Sequence, residues 1–199
     1  MVRIFAVVVA LLAGGAVRAA DDPGYKIDQV MGDPKAPITI VEYASLTCPH
    51  CAHFHETTLP KLKQEWIDTG KAKLIYRDFP TAPAGLSVGA SMIAHCAGPD
   101  RYFGVLSLLF RSQEKWAGAK DPLAAIKQQV KFAGITEDKV DACLKDQELA
   151  NAIQARAKDA NQKFGIDGTP TLMVDGKIIP GGAVPYEELD KALKAAAKK

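Results

Sequence analysis

Apolar and β-branched positions run almost without a break through Ala36-Pro-Ile-Thr-Ile-Val-Glu-Tyr43, which predicts a strand begun through a proline. Past a polar turn at Ser45-Leu46-Thr47 the period lengthens. Phe54, Leu62, Trp66 and Ile67 recur at helical spacing, so a helix is expected from Cys48-Pro49-His50-Cys51 to about Thr69, stopped by Gly70. Pro49 suits the first turn, where its missing N–H would have no partner anyway. Lys73–Phe79 reads as a second strand, and strand, helix, strand implies a parallel βαβ unit with a right-handed crossover.

From Gly85 to about Phe164 the pattern stays helical, over Ser87–Ala97, Asp100–Gln113, Asp121–Ala133, Thr136–Leu144 and Gln147–Phe164. Asp121-Pro122 places a cap residue before a first-turn proline. Strand signals then return: Thr171–Val174 and Lys177–Ile179 flank Asp175-Gly176, a strong two-residue hairpin turn. A closing helix, Tyr186–Ala197, follows Pro185, with Glu187 and Glu188 set against the positive end of its dipole. The order βαβ, helices, ββα makes the chain α/β. The outer pieces, 25–82 and 164–199, are each too small to bury a core alone. They are expected to form one domain, with 83–163 inserted as a helical domain.

The N-terminus has its own layout. Arg3 precedes the apolar run Ile4–Val17, and Val17-Arg18-Ala19-Ala20 leads into the polar Asp21-Asp22-Pro23-Gly24. This is the pattern of a secretory signal peptide over residues 1–19, cleaved after Ala19. The alternative is an uncleaved anchor, but about 14 apolar residues are short of the roughly 20 that a span needs. Removing Arg3 and Arg18 from the 25 basic residues leaves 23 against 23 acidic ones, so the net charge of +2 belongs to the leader. A neutral mature chain lacks the clustered basic surface of a nucleic-acid binder, and the lysines of 194–199 sit where a helix dipole favours them. With 48% hydrophobic and 24% charged residues, the chain is neither collagen-like nor disordered. Four cysteines are too few for a disulfide-dense miniature scaffold, while export to an oxidising compartment lets disulfides persist.

A C-x-x-C at a strand-to-helix junction sets its first sulfur beside unpaired N–H groups and the positive end of a helix, which favours thiolate over thiol. With an ordinary pKa near 8.5 only about 3% of a thiol is ionised at neutral pH. Cys48 is therefore expected to be the exposed nucleophile and Cys51, one turn into the helix, the buried resolving thiol. His50 between them can add a donor or a positive charge. The alternatives are a structural disulfide or half of a zinc site, since His50, His53 and His55 crowd the segment. Yet no second C-x-x-C or H-x₃-H pair supplies distant ligands.

Cys48-Pro49-His50-Cys51 after Ile40-Val-Glu-Tyr-Ala-Ser-Leu-Thr47, with Thr169-Pro170 before a hairpin and a final helix, resembles the bacterial DsbA family of periplasmic thiol–disulfide oxidoreductases. The resemblance spans essentially the whole mature chain. It implies a thioredoxin fold with a helical insertion and a cis peptide bond before Pro170. Thr169 would then offer backbone groups to an extended client beside Cys48, with Pro49 and Pro170 lining the same place. Glu42, six residues before Cys48, is similar to the family's buried acid, whose expected role is proton handling at Cys51. Two positions depart from the family's pattern. Thr169 stands where the best-known oxidase has valine, and threonine also occurs in disulfide isomerases. The second strand holds no lysine clearly placed to pair with Glu42, so the acid's partner is unassigned. Cys96 and Cys143 remain; in an exported protein two leftover cysteines most simply pair, for about 4 kcal/mol on the chain-entropy model. The alternative is two buried thiols packing as small hydrophobes.

These readings converge on an exported dithiol oxidase of the periplasm that introduces disulfides into secreted clients, acting without a cofactor or metal. Its expected partners are reduced, unfolded client proteins and a DsbB-like, quinone-linked membrane oxidase; it is expected to be monomeric and to bind no nucleic acid. A disulfide isomerase or reductase of the same superfamily is the nearest rival. The segment ahead of Cys48, residues 20–47, is short for the dimerisation region that known isomerases carry. A rival from another class is a non-enzymatic metal-binding protein using the Cys/His cluster.

Overall fold

A computed structural model describes residues 27–198; the expected signal peptide lies outside them. Among these residues one mixed sheet runs in the order β1–β3–β2–β4–β5, formed by β1 Gln29–Met31, β2 Ile38–Ala44, β3 Ala72–Asp78, β4 Thr171–Val174 and β5 Lys177–Ile179. β2 and β3 are parallel, as the βαβ reading requires, and the other pairings are antiparallel. The expected hairpin turn is present, with Asp175 at φ 46° and Gly176 at φ 78°. Two successive positive φ values are what a type I′ turn needs. Asp175 also accepts the Thr39 N–H at 2.9 Å, fastening the turn to β2.

Side chains alternate across β2. Ile38 and Ile40 pack with Phe54, Leu62, Leu189 and Leu193 on one face, while Val41 and Tyr43 join Ala160, Ile166 and Met173 on the other. Glu42 therefore points to the first face. In the ladder it stands opposite Tyr76 of β3 and Leu172 of β4.

The helix expected to run to Thr69 is broken into α1 Pro49–Thr57, α2 Leu59–Leu62 and a π-helical turn, Lys63–Ile67. Pro60 is the cause, because it supplies no N–H and its ring crowds the carbonyl four residues back. The helix expected over Asp100–Gln113 is likewise two, α4 Pro99–Arg111 and α5 Gln113–Ala117, preceded by α3 Ala84–Cys96. At the break Ser112 leaves helical geometry (φ −105°, ψ 12°) and its hydroxyl donates to the Leu108 carbonyl at 2.8 Å. α6 Pro122–Lys131, α7 Glu137–Cys143 and α8 Gln147–Phe164 follow, capped by Asp121, Thr136 and Asp146, each accepting an N–H three residues on. Such caps contribute about 1 kcal/mol apiece. α9 Tyr186–Ala196 closes the chain.

Tyr102, Leu106, Leu109, Phe110 and Trp116 form a buried cluster that continues into Ala44, Leu46, Cys48, Cys51 and Ala52. The apolar interior of the helical block is thus shared with the residues around the C-x-x-C. Cys96 is bonded to Cys143 (Cα–Cα 6.1 Å), joining α3 to α7. A second cis peptide bond, Ala82–Pro83, precedes α3 and was not anticipated. No helix of the described residues is long and apolar enough to cross a membrane.

Candidate active site

The C-terminal end of β2 feeds Ser45-Leu46-Thr47 into α1, and Cys48 is the residue that caps that helix, in extended geometry (φ −88°, ψ 119°). The turn is held from both sides. Ser45 Oγ lies 2.8 Å from Ser87 Oγ, 2.9 Å from Thr81 Oγ1 and 3.0 Å from Thr47 Oγ1. From α5 the Gln113 side-chain amide donates to the Leu46 carbonyl at 2.7 Å and to the Cys48 carbonyl at 3.0 Å. Because Pro49 has no N–H, that carbonyl is the only polar handle on the Cys48–Pro49 peptide.

Cys48 is less open than its expected role required: 8% of its surface is exposed. The loop at the cis Thr169–Pro170 bond covers it, and the Cys48 thiol donates to the Thr169 carbonyl at 3.3 Å. Its pKa is lowered to about 5. The Cys51 thiol hydrogen-bonding to the Cys48 sulfur contributes most, burial opposes, and the Thr169 hydroxyl with the N–H groups of Cys51 and His50 adds further support. Those two N–H groups face the sulfur from the first turn without either closing a full cap hydrogen bond. The His50 contribution comes from its backbone, and its side chain, like that of Pro49, is exposed. Cys51 is fully buried. Burial pushes its thiol far above the ordinary range, helped by Cys48 and by the nearby Glu42 charge. One sulfur is thus set to ionise first, and the other to keep its proton.

Glu42 is fully buried, which would be very costly for an unpartnered carboxylate. Its partner is His55, whose Nε2 lies 3.1 and 3.0 Å from the two carboxylate oxygens. The His55 ring is stacked on Phe110 of α4, with centroids 4.1 Å apart, and meets Tyr76 edge-on. The histidines therefore do not act as a cluster: His50 and His53 face outward while His55 is buried on the opposite side of α1. Among the described residues no three His, Cys, Asp or Glu side chains converge as a metal-ligand set. The structure brings Cys48, Cys51, Thr169 and Pro170 together, with Glu42 behind Cys51. Cys96 and Cys143 stand apart, in a satellite cluster with Met92 and Ile153.

Two residues of the site escaped the sequence reading. Gln113 carries no local signal at all. His55 did carry one: it follows Cys51 by four residues, so a helix that buries Cys51 turns His55 to the same side.

The fold and the paired thiols define a thioredoxin-fold protein with a helical insertion and a dithiol at the start of its first helix. The chain belongs to the thioredoxin family, whose profile matches residues 26–195. It is 31% identical to a Rickettsia bellii protein provisionally named a protein-disulfide oxidoreductase, over 76% of this chain and 60% of that one. The chain spans 53% to 64% of the length of the rickettsial relatives it matches. Among solved structures it is similar to Wolbachia pipientis alpha-DsbA1 (TM-score 0.78, 29% identity, 88% of this chain and 93% of that one). It is also similar to a protein-disulfide isomerase of Novosphingobium aromaticivorans (TM-score 0.74, 25% identity, 86% and 98%).

Proposed function

We propose that this chain is an exported thiol–disulfide oxidoreductase that oxidises client proteins through Cys48 and Cys51. The observation that carries the reading is the asymmetry of the two sulfurs, with Cys48 held as thiolate near neutral pH and Cys51 held protonated. In the oxidised form a client thiolate attacks Cys48, the Cys48–Cys51 bond breaks, and its electron pair passes to the Cys51 sulfur, which takes up a proton. A second client thiolate then attacks the client sulfur of the mixed disulfide. The client disulfide forms and the Cys48 thiolate leaves; a low pKa makes it a good leaving group. Thr169 and Pro170 support the pairing of an extended client strand beside Cys48, in the manner of an added strand. Glu42 serves Cys51 as its proton partner, and the Cys96–Cys143 bond is structural.

The division into 25–82 with 164–199 and an inserted 83–163 goes with this reading, as do a leader at 1–19, a periplasmic location, a monomeric state and reoxidation by a DsbB-like membrane oxidase. Thr169 favours a second reading, disulfide isomerase, and so does the likeness to the Novosphingobium protein. The redox potential of the Cys48–Cys51 pair separates them, a strongly oxidising value being expected. In the reduced protein the thiolate absorbance should titrate near pH 5, and Cys48→Ser should abolish oxidation of a reduced dithiol peptide. An ordinary thiol titration near 8.5 would remove the basis of the proposal.

A further inference from the structure

We propose that His55 is a positioning residue for the proton exchanged at Cys51, acting through the Glu42 carboxylate that it binds with a single ring nitrogen. The inference rests on the oxidoreductase reading and goes beyond it by naming the group that lets a buried carboxylate serve as the base. Both oxygens of Glu42 lie within 3.1 Å of His55 Nε2, and the two side chains are 0% and 3% exposed. One N–H shared by two oxygens leaves the carboxylate lone pairs free to accept from elsewhere. The imidazole itself is fixed by Phe110 of α4 and by the edges of Tyr76 and Phe54.

The surroundings restrict which groups can take part. The groups that feel the Glu42 charge are Cys51, on the same helix as His55, Tyr76 of β3 and Tyr102 of α4, and Asp78 of β3 acts on both phenols. Burial holds the Tyr76 and Tyr102 phenols well above their ordinary range, so both stay protonated. Asp78 is engaged by His95 at 2.7 Å. Glu42 is therefore the group on hand for the Cys51 proton, and its charge is felt at that thiol.

The step in question is resolution of a mixed disulfide on Cys48. Cys51 gives its proton to a Glu42 oxygen, and its sulfur attacks the Cys48 sulfur. The Cys48–Cys51 bond forms, the bond from Cys48 to the departing group breaks, and the electron pair leaves on that group as a thiolate. Client oxidation runs the same exchange in reverse, with Glu42 returning the proton as the Cys48–Cys51 bond opens. A carboxylate deprived of its donor in this apolar site loses the hydrogen bond that offsets the cost of burying it.

Reduced protein treated with 5,5′-dithiobis(2-nitrobenzoate) reports both sulfurs in succession, because Cys48 attack releases one thionitrobenzoate and Cys51 attack releases the second. In His55→Phe the first phase should stay within about twofold. The second should slow by about tenfold or more near neutral pH, the scale of one charge-assisted hydrogen bond, and recover at higher pH. His55→Gln, which keeps an N–H donor, should restore most of the rate. Adding His55→Phe to Glu42→Gln should slow the second phase by no more than about twofold beyond Glu42→Gln alone. If His55→Phe does not fold, the same cycle is run with His55→Gln, and the same non-additivity is expected at smaller amplitude. A second phase that is unchanged, that slows equally at every pH, or that slows additively with Glu42→Gln would overturn the assignment. Loss of the fast first phase in the unsubstituted protein would instead defeat the oxidoreductase reading.

Discussion

Cys48 and Cys51 stand three residues apart at the start of a helix, whereas Cys96 and Cys143 are bonded across 47 positions between α3 and α7. The first pair is surrounded by groups that treat its sulfurs differently: N–H groups, a threonine hydroxyl and a partner thiol around Cys48, and apolar burial with a carboxylate charge around Cys51. The second pair is already bonded and packs among Met92, Ile153, Leu144 and Leu149, with the Met92 carbonyl 3.1 Å from the Cys143 sulfur. The proposed redox role rests on the inequality of the first pair, because a thiol–disulfide exchanger needs one good nucleophile and leaving group beside one protonated partner. On the proposed reading, the bond that joins α3 to α7 serves the fold instead.

The largest expected effect breaks the comparison on its structural side. Cys96→Ser combined with Cys143→Ser should cost about 4 kcal/mol by loop entropy, visible as a lower Tm, while oxidation of a dithiol peptide stays near its original rate. A variant that keeps its Tm but loses activity would reverse the roles assigned to the two pairs.

The asymmetry of the active pair should show in how its potential depends on pH. Above about pH 5 reduction should consume two electrons and one proton, because Cys48 stays ionised and only Cys51 is protonated. The potential should then fall by about 30 mV per pH unit, and by about twice that below pH 5, where both thiols take up protons. Stability moves with the same group. A folded value of about 5 against an ordinary value near 8.5 supports the reduced fold fully above the ordinary value, and this support is lost as pH falls through about 5. Melting curves of reduced and oxidised protein should therefore diverge between those limits, with the reduced form gaining as pH rises. Parallel curves would contradict a depressed Cys48.

Thr169→Val removes the hydroxyl that supports the Cys48 thiolate. It should raise the Cys48 midpoint by up to about one unit and make the pair less oxidising by about 30 mV. Unchanged values would leave Thr169 with its carbonyl contact alone. The smallest shift is expected for Gln113→Met, which releases the Leu46 and Cys48 carbonyls without altering volume much. The midpoint should rise by a few tenths of a unit, and stability should fall by about 1–3 kcal/mol for the buried Leu46 acceptor, since the Cys48 carbonyl keeps the N–H groups of Cys51 and Ala52.

Elements whose cause lies within a few neighbouring residues were legible from the sequence. The Asp175-Gly176 turn, the parallel β2–β3 pair, the capped helices α6 to α8 and the Cys48–Pro49 helix start all belong to that class. β1, three partly exposed residues completed by its partner β3, has too little pattern of its own. Pro60 was visible, yet the apolar repeat running past it masked the break. At the site, Cys48, Cys51 and Thr169-Pro170 could be read from spacing and resemblance. His55 could not be paired with Glu42, because that contact depends on how α1 lies across β2. Grouping His50, His53 and His55 as potential ligands ignored helical phase, which turns the first two outward and the third inward.

The turn that carries Cys48 is secured by four hydroxyls and one carboxamide, those of Ser45, Thr47, Thr81, Ser87 and Gln113. None of these groups gains or loses charge in the range over which Cys48 titrates. The cradle is electrically neutral, so appearance of a negative sulfur changes no bond within it, and added salt has nothing there to screen. A change in ionic strength should thus reach the thiolate and any charged client while leaving the geometry that aims the sulfur as it was.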